Sequence, residues 1–284
     1  LKGEHLFLSG GALRLNWSAV LSKAFSETPD NAEIYLLGSH VSTTDAAKRR
    51  WEHNSDKDKA GYVDLAYKLK LDGGAVLDFS AGGMYRDKKR DSFFNEYTFN
   101  SATGSKNPQY INKDWFNFDE IQFVPRPYGN IGDPLNYDAT EKIGAGYGMV
   151  KYTLKEWELI AGVRVEHTNQ GYVLKFPRDV DPEGNQDYTD VLPSFHAKYL
   201  RFSYARAINR PSFFEIVPYS IINEDYKEKG NPDLKHTIAD NIDLRYEFFP
   251  KSSEQFMVGL FYKNIQDPIE YGLLNEGQDT YYKP

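Results

Sequence analysis

The chain has 284 residues, no cysteine, a formal net charge of -7 and a mean hydropathy of -0.63. The lack of cysteine excludes a disulfide framework and thiolate metal sites, and the acidic balance argues against a nucleic-acid partner. No run of about 18 apolar residues occurs, which excludes transmembrane helices. A β-barrel stays open, because its alternating apolar and polar side chains average to a polar mean.

Segments in which apolar and polar residues alternate follow one another along most of the chain. Near the start, Leu13, Leu15 and Trp17 alternate with Arg14 and Asn16. Successive side chains of a strand point to opposite faces, so each segment has one apolar and one polar face. The pattern predicts strands at roughly 12–25, 31–42, 60–71, 74–87, 92–99, 142–154, 156–170, 193–208, 240–250 and 254–265, with weaker ones near 3–9 and 269–274.

The segments are long for strands of a soluble protein. Many reach about ten residues, the length that a tilted strand needs to cross a bilayer, whereas soluble strands average about five or six. The sequence therefore predicts an all-β fold: an antiparallel transmembrane β-barrel, or part of one. Nine residues share the apolar parity and are predicted to face lipid, opposite Arg14, Asp78 and Arg245: Trp17, Leu65, Tyr67, Phe79, Tyr85, Val163, Leu244, Tyr246 and Leu260.

Two long connections, at about 100–141 and 209–238, are predicted to be extracellular loops. Short turns such as Asp72-Gly73-Gly74 are predicted at the periplasmic end. Loop aromatics stack on sugars or aromatic chelators, and loops commonly carry binding residues. The candidate ligand contacts are Trp115, Phe116, Arg126, Tyr128, Tyr219 and Tyr226. A place in the interfacial aromatic girdle explains aromatics at the loop bases equally well.

The alternation changes phase at Tyr199–Leu200. Apolar residues stand on odd numbers at Phe195 and Ala197, and on even numbers at Phe202 and beyond. A slip of one residue exchanges the faces of a strand, and no turn-forming residue stands at this point. Two explanations remain open: a bulge within one strand, or a turn that is missing from the sequence. The second predicts a spatial gap between Tyr199 and Leu200.

An acidic segment from Asp179 to Asp190 spaces oxygen-bearing residues around Gly184 in a pattern that resembles a calcium loop. The alternative is a solvated acidic loop tip. The six histidines show no metal-ligand spacing, and no hydrolase motif occurs. We therefore expect no enzymatic activity, no metal site and no cofactor.

Two motifs resemble those of TonB-dependent receptors. Arg210-Pro211-Ser212, at the end of the segment 201–213, is similar to the family's strand-to-loop motif, and Gly230-Asn231-Pro232-Asp233 to the segment that follows it. The resemblance implies a fragment of a 22-stranded outer-membrane barrel that closes around an N-terminal plug. Residues 1–284 match the barrel part alone, so we expect a partial barrel domain without the plug, the TonB box and the C-terminal strands.

The same two motifs also have a purely structural interpretation. Proline ends a strand because it cannot donate to the ladder, and Asn-Pro-Asp starts a turn.

A further expectation concerns the wall itself. About a dozen strands cannot close around a plug-sized lumen, so we expect a curved, incomplete wall with two exposed edges.

The function that the resemblance implies is import of a scarce ligand, such as a siderophore, an oligosaccharide or a peptide. The resemblance also implies that haem receptors of the family carry a histidine on the loop between the two motifs. No histidine lies between Pro211 and Gly230, so haem is disfavoured as the ligand. The implied partners are the TonB–ExbB–ExbD system, outer-membrane lipid and lipopolysaccharide, and a surface lipoprotein. Two alternatives remain open: a non-transporting outer-membrane barrel that acts as adhesin or assembly partner, and a secreted β-sandwich that binds carbohydrate.

Overall fold

The computed structural model describes residues 1–8, 12–37, 40–41, 47–101, 123–125, 135–177, 180–198, 201–222, 227–251, 254–276 and 279–284. Most of these residues lie in strands. The first eight are β1 (Lys2–Phe7), β2 (Leu13–Ile34), β3 (Leu36–Leu37), β4 (His40–Val41), β5 (Ala47–Lys70), β6 (Val76–Ser101), β7 (Phe123–Pro125) and β8 (Tyr137–Leu154). They are followed by β9 (Trp157–Leu174), β10 (Glu183–Ala197), β11 (Arg201–Asn209), the one-turn helix α1 (Phe213–Ile216), β12 (Ser220–Ile222), β13 (Lys227–Lys229), β14 (Thr237–Lys251), β15 (Glu254–Gln266), β16 (Gly272–Glu276) and β17 (Asp279–Lys283).

One antiparallel sheet forms the wall of the molecule. Its strands lie in the order β1-β2-β5-β6-β8-β9-β10-β11-β14-β15, and β7 adds to β6 beyond this path. Within the described residues, β1 and β15 have a neighbour on one side only. The expectation of an open wall with two edges is therefore confirmed.

Short and long connections lie at opposite ends of this wall. The turn Asp72–Gly74 joins β5 to β6 with Gly73 and Gly74 at φ of 82° and 83°, values that glycine adopts without steric cost. The connections β8–β9 and β14–β15 are shorter still, with two residues each, and lie at the same end. The connections β6–β8, β9–β10 and β11–β14 lie at the opposite end, which we call the loop-bearing end.

The register places the predicted lipid-facing residues on one continuous face. Leu65 pairs with Leu15 on one side and Ala81 on the other. Because each partner carries its side chain on the same face, the parity can be followed across the wall to Leu244, which pairs with Phe202 and Leu260. All nine predicted residues share this outer face, and Arg14, Asp78 and Arg245 lie on the opposite, inner face. The shared outer face is confirmed, and contact of these residues with lipid stays a prediction.

The phase change at 199–200 marks a change of strand. Ala197, in β10, pairs with Phe202, in β11, and Phe195 pairs with Tyr204. The chain reverses direction between Ala197 and Arg201, and because four residues separate the paired Ala197 and Phe202, odd-numbered residues of β10 share the outer face with even-numbered residues of β11. The single strand predicted at 193–208 is wrong, as is the bulge. Tyr199 and Leu200 lie outside the described residues, so the expected gap between them stays a prediction.

The wall strands are longer than the sequence predicts. Residues 47–59 extend β5 beyond the predicted 60–71, and β6 joins the segments predicted separately at 74–87 and 92–99. Charges stand on both faces in these stretches, which hides the apolar alternation that a strand normally shows. Among the described residues, no helix has the length and apolar character that crossing a membrane requires.

Candidate functional site on the inner face

Charged side chains of β5 and β6 form a ladder of ion pairs on the inner face. Asp56 pairs with Arg90, at 2.6 Å between Oδ1 and Nε, and Asp58 pairs with Arg86. The run Asp56-Lys57-Asp58-Lys59 sorts its acids to this face and its lysines to the outer face, because neighbouring residues of a strand point in opposite directions. In these two pairs β5 contributes the acid and β6 contributes the base.

The ladder continues along the wall in both directions. Arg50 donates to Glu96, with 2.7 Å between Nη2 and Oε2. The hydroxyl of Tyr147, in β8, donates to Asp64 Oδ1 at 2.7 Å. A polar, hydrogen-bonded inner face of this kind suits contact with water or with a folded polar domain, and is incompatible with lipid.

The chain between β11 and β14 folds inward onto this ladder at the loop-bearing end. Arg210 donates to Glu166 at 2.7 Å and to the hydroxyl of Thr168 at 3.0 Å. Gln170 Nε2 donates to the carbonyl oxygen of Pro211 at 2.9 Å. Three consecutive inward residues of β9 therefore hold the start of this segment, which we call the inward segment (residues 210–222 and 227–236).

The helix α1 fixes the next turn of the inward segment. Ser212 and Glu215 form a capping box: the backbone N–H of Glu215 bonds to the Ser212 hydroxyl, and the backbone N–H of Ser212 to the Glu215 carboxylate. The ring of Phe213 lies under the cations Lys88 and Arg90, 5.4 and 5.6 Å from its centroid. Such cation–π contacts tie the segment to the basic side of the ladder.

A water-excluded cluster lies beneath α1. Ile216 and Val217 are completely or almost completely buried. They pack with inner-face side chains of β6, β8 and β9, which makes this cluster the core of the described molecule. The buried members are Phe94, Leu135, Tyr137, Ala139, Tyr172, Leu174, Phe213, Ile216, Val217 and Tyr219.

Tyr219, a candidate ligand contact, belongs to this cluster. Its side chain is 1% exposed, and its hydroxyl donates to Glu228 Oε1 at 2.7 Å. Burial and this hydrogen bond raise the pKa of Tyr219. In this structure the side chain of Tyr219 serves the buried cluster, and its contact with a ligand stays a prediction. The other candidates, Trp115, Phe116, Arg126, Tyr128 and Tyr226, lie outside the described residues and stay predictions.

The second of these two motifs, Gly230-Asn231-Pro232-Asp233, packs against the helix α1 that directly follows the first motif. The backbone N–H of Asn231 donates to the Glu215 carbonyl at 2.7 Å, and its side-chain oxygen accepts from the N–H of Asp233 at 3.2 Å. A Cβ at Gly230 would lie 1.9 Å from the Val217 carbonyl oxygen, so only glycine fits there. These contacts support the structural interpretation of both motifs.

The end of the inward segment is held by β10. Gln186 Nε2 donates to the Leu234 carbonyl oxygen at 2.7 Å. The ring of His236 stacks on Tyr188 with 3.9 Å between centroids, and its Nε2 lies 3.0 Å from Asp190 Oδ1. The three β10 residues in these contacts, Gln186, Tyr188 and Asp190, all belong to the acidic segment that resembles a calcium loop.

The calcium interpretation is wrong for this stretch, and so is the alternative of a loop tip. Glu183–Ala197 is a strand, so Asp187 and Asp190 point to opposite faces and cannot converge on one ion. Asp179 lies outside the described residues. Across the residues that the structure describes, no group of three or more His, Asp or Glu side chains could hold a metal ion.

The comparisons with known proteins agree with this architecture. Residues 122–282, more than half of the chain, match the model of the outer membrane protein beta-barrel family. The chain belongs to this family, and it is an antiparallel β-barrel chain of the outer membrane. A search of curated proteins found no match.

Two solved structures resemble the chain. The siderophore receptor PiuA from Acinetobacter baumannii aligns at 12% identity with a TM-score of 0.49, over 99% of this chain and 48% of that chain. A mutant of the ferric enterobactin receptor PfeA from Pseudomonas aeruginosa aligns at 10% identity with a TM-score of 0.31, over 99% of this chain and 54% of that chain. The chain thus spans about half the length of either receptor. Likeness at this level carries no inference about a ligand.

Proposed function

We propose that the chain is part of the barrel of a TonB-dependent receptor that imports a scarce ligand across the outer membrane. One observation carries the proposal: the inner face carries a ladder of ion pairs and hydrogen bonds, and the inward segment is fixed to the same face. Because these ion pairs replace water at the wall, they prepare a polar surface that suits a folded plug domain. The two motifs that resemble the receptor family both serve this arrangement.

The ligand class follows from the family resemblance: a siderophore, an oligosaccharide or a peptide. In this proposal the loop-bearing end faces the outside of the cell, and the aromatic residues of 100–141 make the first contacts. The TonB–ExbB–ExbD system supplies the energy through a plug that precedes the barrel, and a surface lipoprotein is a further candidate partner. A non-transporting adhesin or assembly barrel would need none of this coupling.

The test is growth of a deletion strain of the complete gene on limiting ferric siderophore, oligosaccharide or peptide. We expect growth to fail on one of these, and to fail equally in a strain that lacks TonB. The control is the deletion strain complemented with the intact gene, which should restore growth. Undiminished growth on the whole panel, with no binding of the purified full-length protein to the periplasmic domain of TonB, would favour the non-transporting barrel.

A further inference from the structure

Two carboxylates face each other on β9 and β10, beneath the inward segment. Glu166 pairs directly with Asp190 in the register of the two strands, and both side chains point inward. They are nearly buried, with 12% and 10% of the side-chain surface exposed. Like charges directly opposite each other destabilise a sheet, and burial of an unpaired charge adds to the cost. Each carboxylate therefore requires a cation.

The inward segment supplies one cation to each of them. Arg210, at its start, donates to Glu166, which also accepts from Arg164 Nε at 2.9 Å. His236, at its end, approaches Asp190 with 3.0 Å between Nε2 and Oδ1. Among the described side chains, no other basic group lies within ion-pair distance of Asp190, and its Oδ2 is buried without a hydrogen-bond partner. Within this part of the chain, His236 is thus the cation that balances Asp190.

The two cations respond differently to pH. A guanidinium keeps its charge throughout the physiological range, whereas a histidine side chain gains or loses its charge between about pH 5 and pH 8. With two ring protons, His236 forms an ion pair and a hydrogen bond with Asp190 at once. With one, it offers a single neutral N–H, and the buried carboxylate stands beside Glu166 without a counter-charge. One end of the inward segment is therefore fixed at every physiological pH, and the other end is not.

The surroundings of His236 accept a positive charge on its ring. The ring of Tyr188 lies parallel to it, at an interplanar angle of 7°, and the face of an aromatic ring attracts a cation. Charged groups from three parts of the chain border the same depression: Asp187 of β10, Asp233 and Lys235 of the inward segment, and Asp267 after β15. Acids outnumber bases in this group, so a charged imidazole meets no net repulsion.

We propose that His236 and Asp190 form a proton-dependent clasp, which holds the end of the inward segment against β10 at mildly acidic pH and loosens as the pH rises. The loosening is confined to the residues after Asn231, because the N–H of Asn231 stays bound to the Glu215 carbonyl. The residues that loosen line one side of a depression of about 400 Å³ at the loop-bearing end. The proton thus controls access to this depression.

A second histidine pair provides an internal control. On the outer face of the same two strands, His167 Nε2 lies 3.7 Å from Asp187 Oδ2, and both side chains are more than half exposed. Exposed pairs of this kind contribute little to stability, because water screens the charges. Loss of the charge on His167 should therefore leave the inward segment where it is.

The test follows the mobility of a spin label at the end of the inward segment. These 284 residues contain no cysteine, and Lys235 is exposed, so Lys235→Cys in the full-length protein provides the attachment point. Label mobility is measured at about pH 5.5 and about pH 8, which bracket the titration of histidine. The same label is placed in His236→Gln, His236→Arg and His167→Gln. Folding of each variant is checked by heat-modifiable migration on gels.

We expect the ratio of mobile to immobile label to rise about fivefold from the lower to the higher pH, since a charge-assisted hydrogen bond is roughly twice as strong as a neutral one. His236→Gln should be mobile at both pH values. His236→Arg should be immobile at both, because a guanidinium keeps its charge and stacks on Tyr188. His167→Gln should respond as the unaltered protein does. Equal mobility at the two pH values in the unaltered protein, or a response that persists in His236→Gln, would overturn the proposal.

A further variant tests the acid of the clasp. Asp190→Asn keeps the shape of the side chain and removes its charge, while His236 and every other histidine stay in place. We expect the label at position 235 to lose its response to pH in this variant. A response of undiminished size would assign the effect to another titratable group and contradict the clasp.

Discussion

The outer belt and the buried cluster use the same apolar residue types in opposite ways. In the belt, Leu260 exposes 67% of its surface and Tyr246 exposes 52%, whereas Val217 and Ile216 in the cluster expose 0% and 2%. The difference arises from the surrounding medium: lipid covers the belt, and only protein covers the cluster. Apolar side chains of the belt are therefore exposed on the native chain, where lipid covers them. Those of the cluster become exposed only if the inward segment unfolds.

The largest expected effect is on the cluster. Phe213→Ala leaves a cavity between α1 and the wall and should cost about 3–5 kcal/mol of the stability of the inward segment. The measurement is the protection of residues 210–236 from added protease in the full-length protein. Phe79→Ala, in the belt, is the matched control and should cost less, because acyl chains fill the space that it leaves. A larger loss at Phe79 than at Phe213 would reverse the comparison.

Reversing the polarity of the belt should have the next largest effect. Leu244→Arg places a charge in the hydrocarbon region and should cost about 2–4 kcal/mol, measured as the free energy of refolding into lipid vesicles. Asp243→Asn, one residue away on the inner face, should be nearly silent. If the two substitutions were equally costly, Leu244 would not face lipid.

The hydrogen bond of Tyr219 tests the cluster at a smaller scale. Tyr219→Phe leaves the Glu228 contact unmade and should cost about 1.5–3 kcal/mol at neutral pH. Because the pKa of Tyr219 is raised on folding, its contribution is fully present below the ordinary tyrosine pKa of about 10. The contribution declines as the pH rises further, since the unfolded side chain then loses its proton and the folded one does not. Protease protection that falls equally with pH in both proteins would argue against the buried pair.

The smallest expected effect is at the helix cap. Ser212→Ala removes the acceptor for the backbone N–H of Glu215 and should cost about 1 kcal/mol. Ser212→Asp retains an acceptor and should protect the inward segment from protease as serine does. An equal loss with both substitutions would mean that the hydroxyl does not cap α1.

The belt was predictable from the sequence, and the cluster was not. Alternation identifies residues such as Trp17 and Leu244 because the strand period of two depends only on local geometry. The cluster depends on contacts such as Gln170 to Pro211, 41 residues apart, which no local pattern reveals. Residues 47–59 were missed for a different reason: both faces of that stretch carry charge, which the sequence alone cannot assign to lumen or headgroup.

The central claim is that the parity found in the register separates lipid from lumen. These 284 residues contain no cysteine, so single cysteines can be introduced along β5 of the full-length protein and spin-labelled. In lipid vesicles, labels at Val63, Leu65 and Tyr67 should be relaxed by oxygen dissolved in the bilayer. Labels at Asp64, Ala66 and Lys68 should instead be relaxed by a water-soluble paramagnetic reagent. Equal accessibility at all six positions, or the reverse order, would contradict the account.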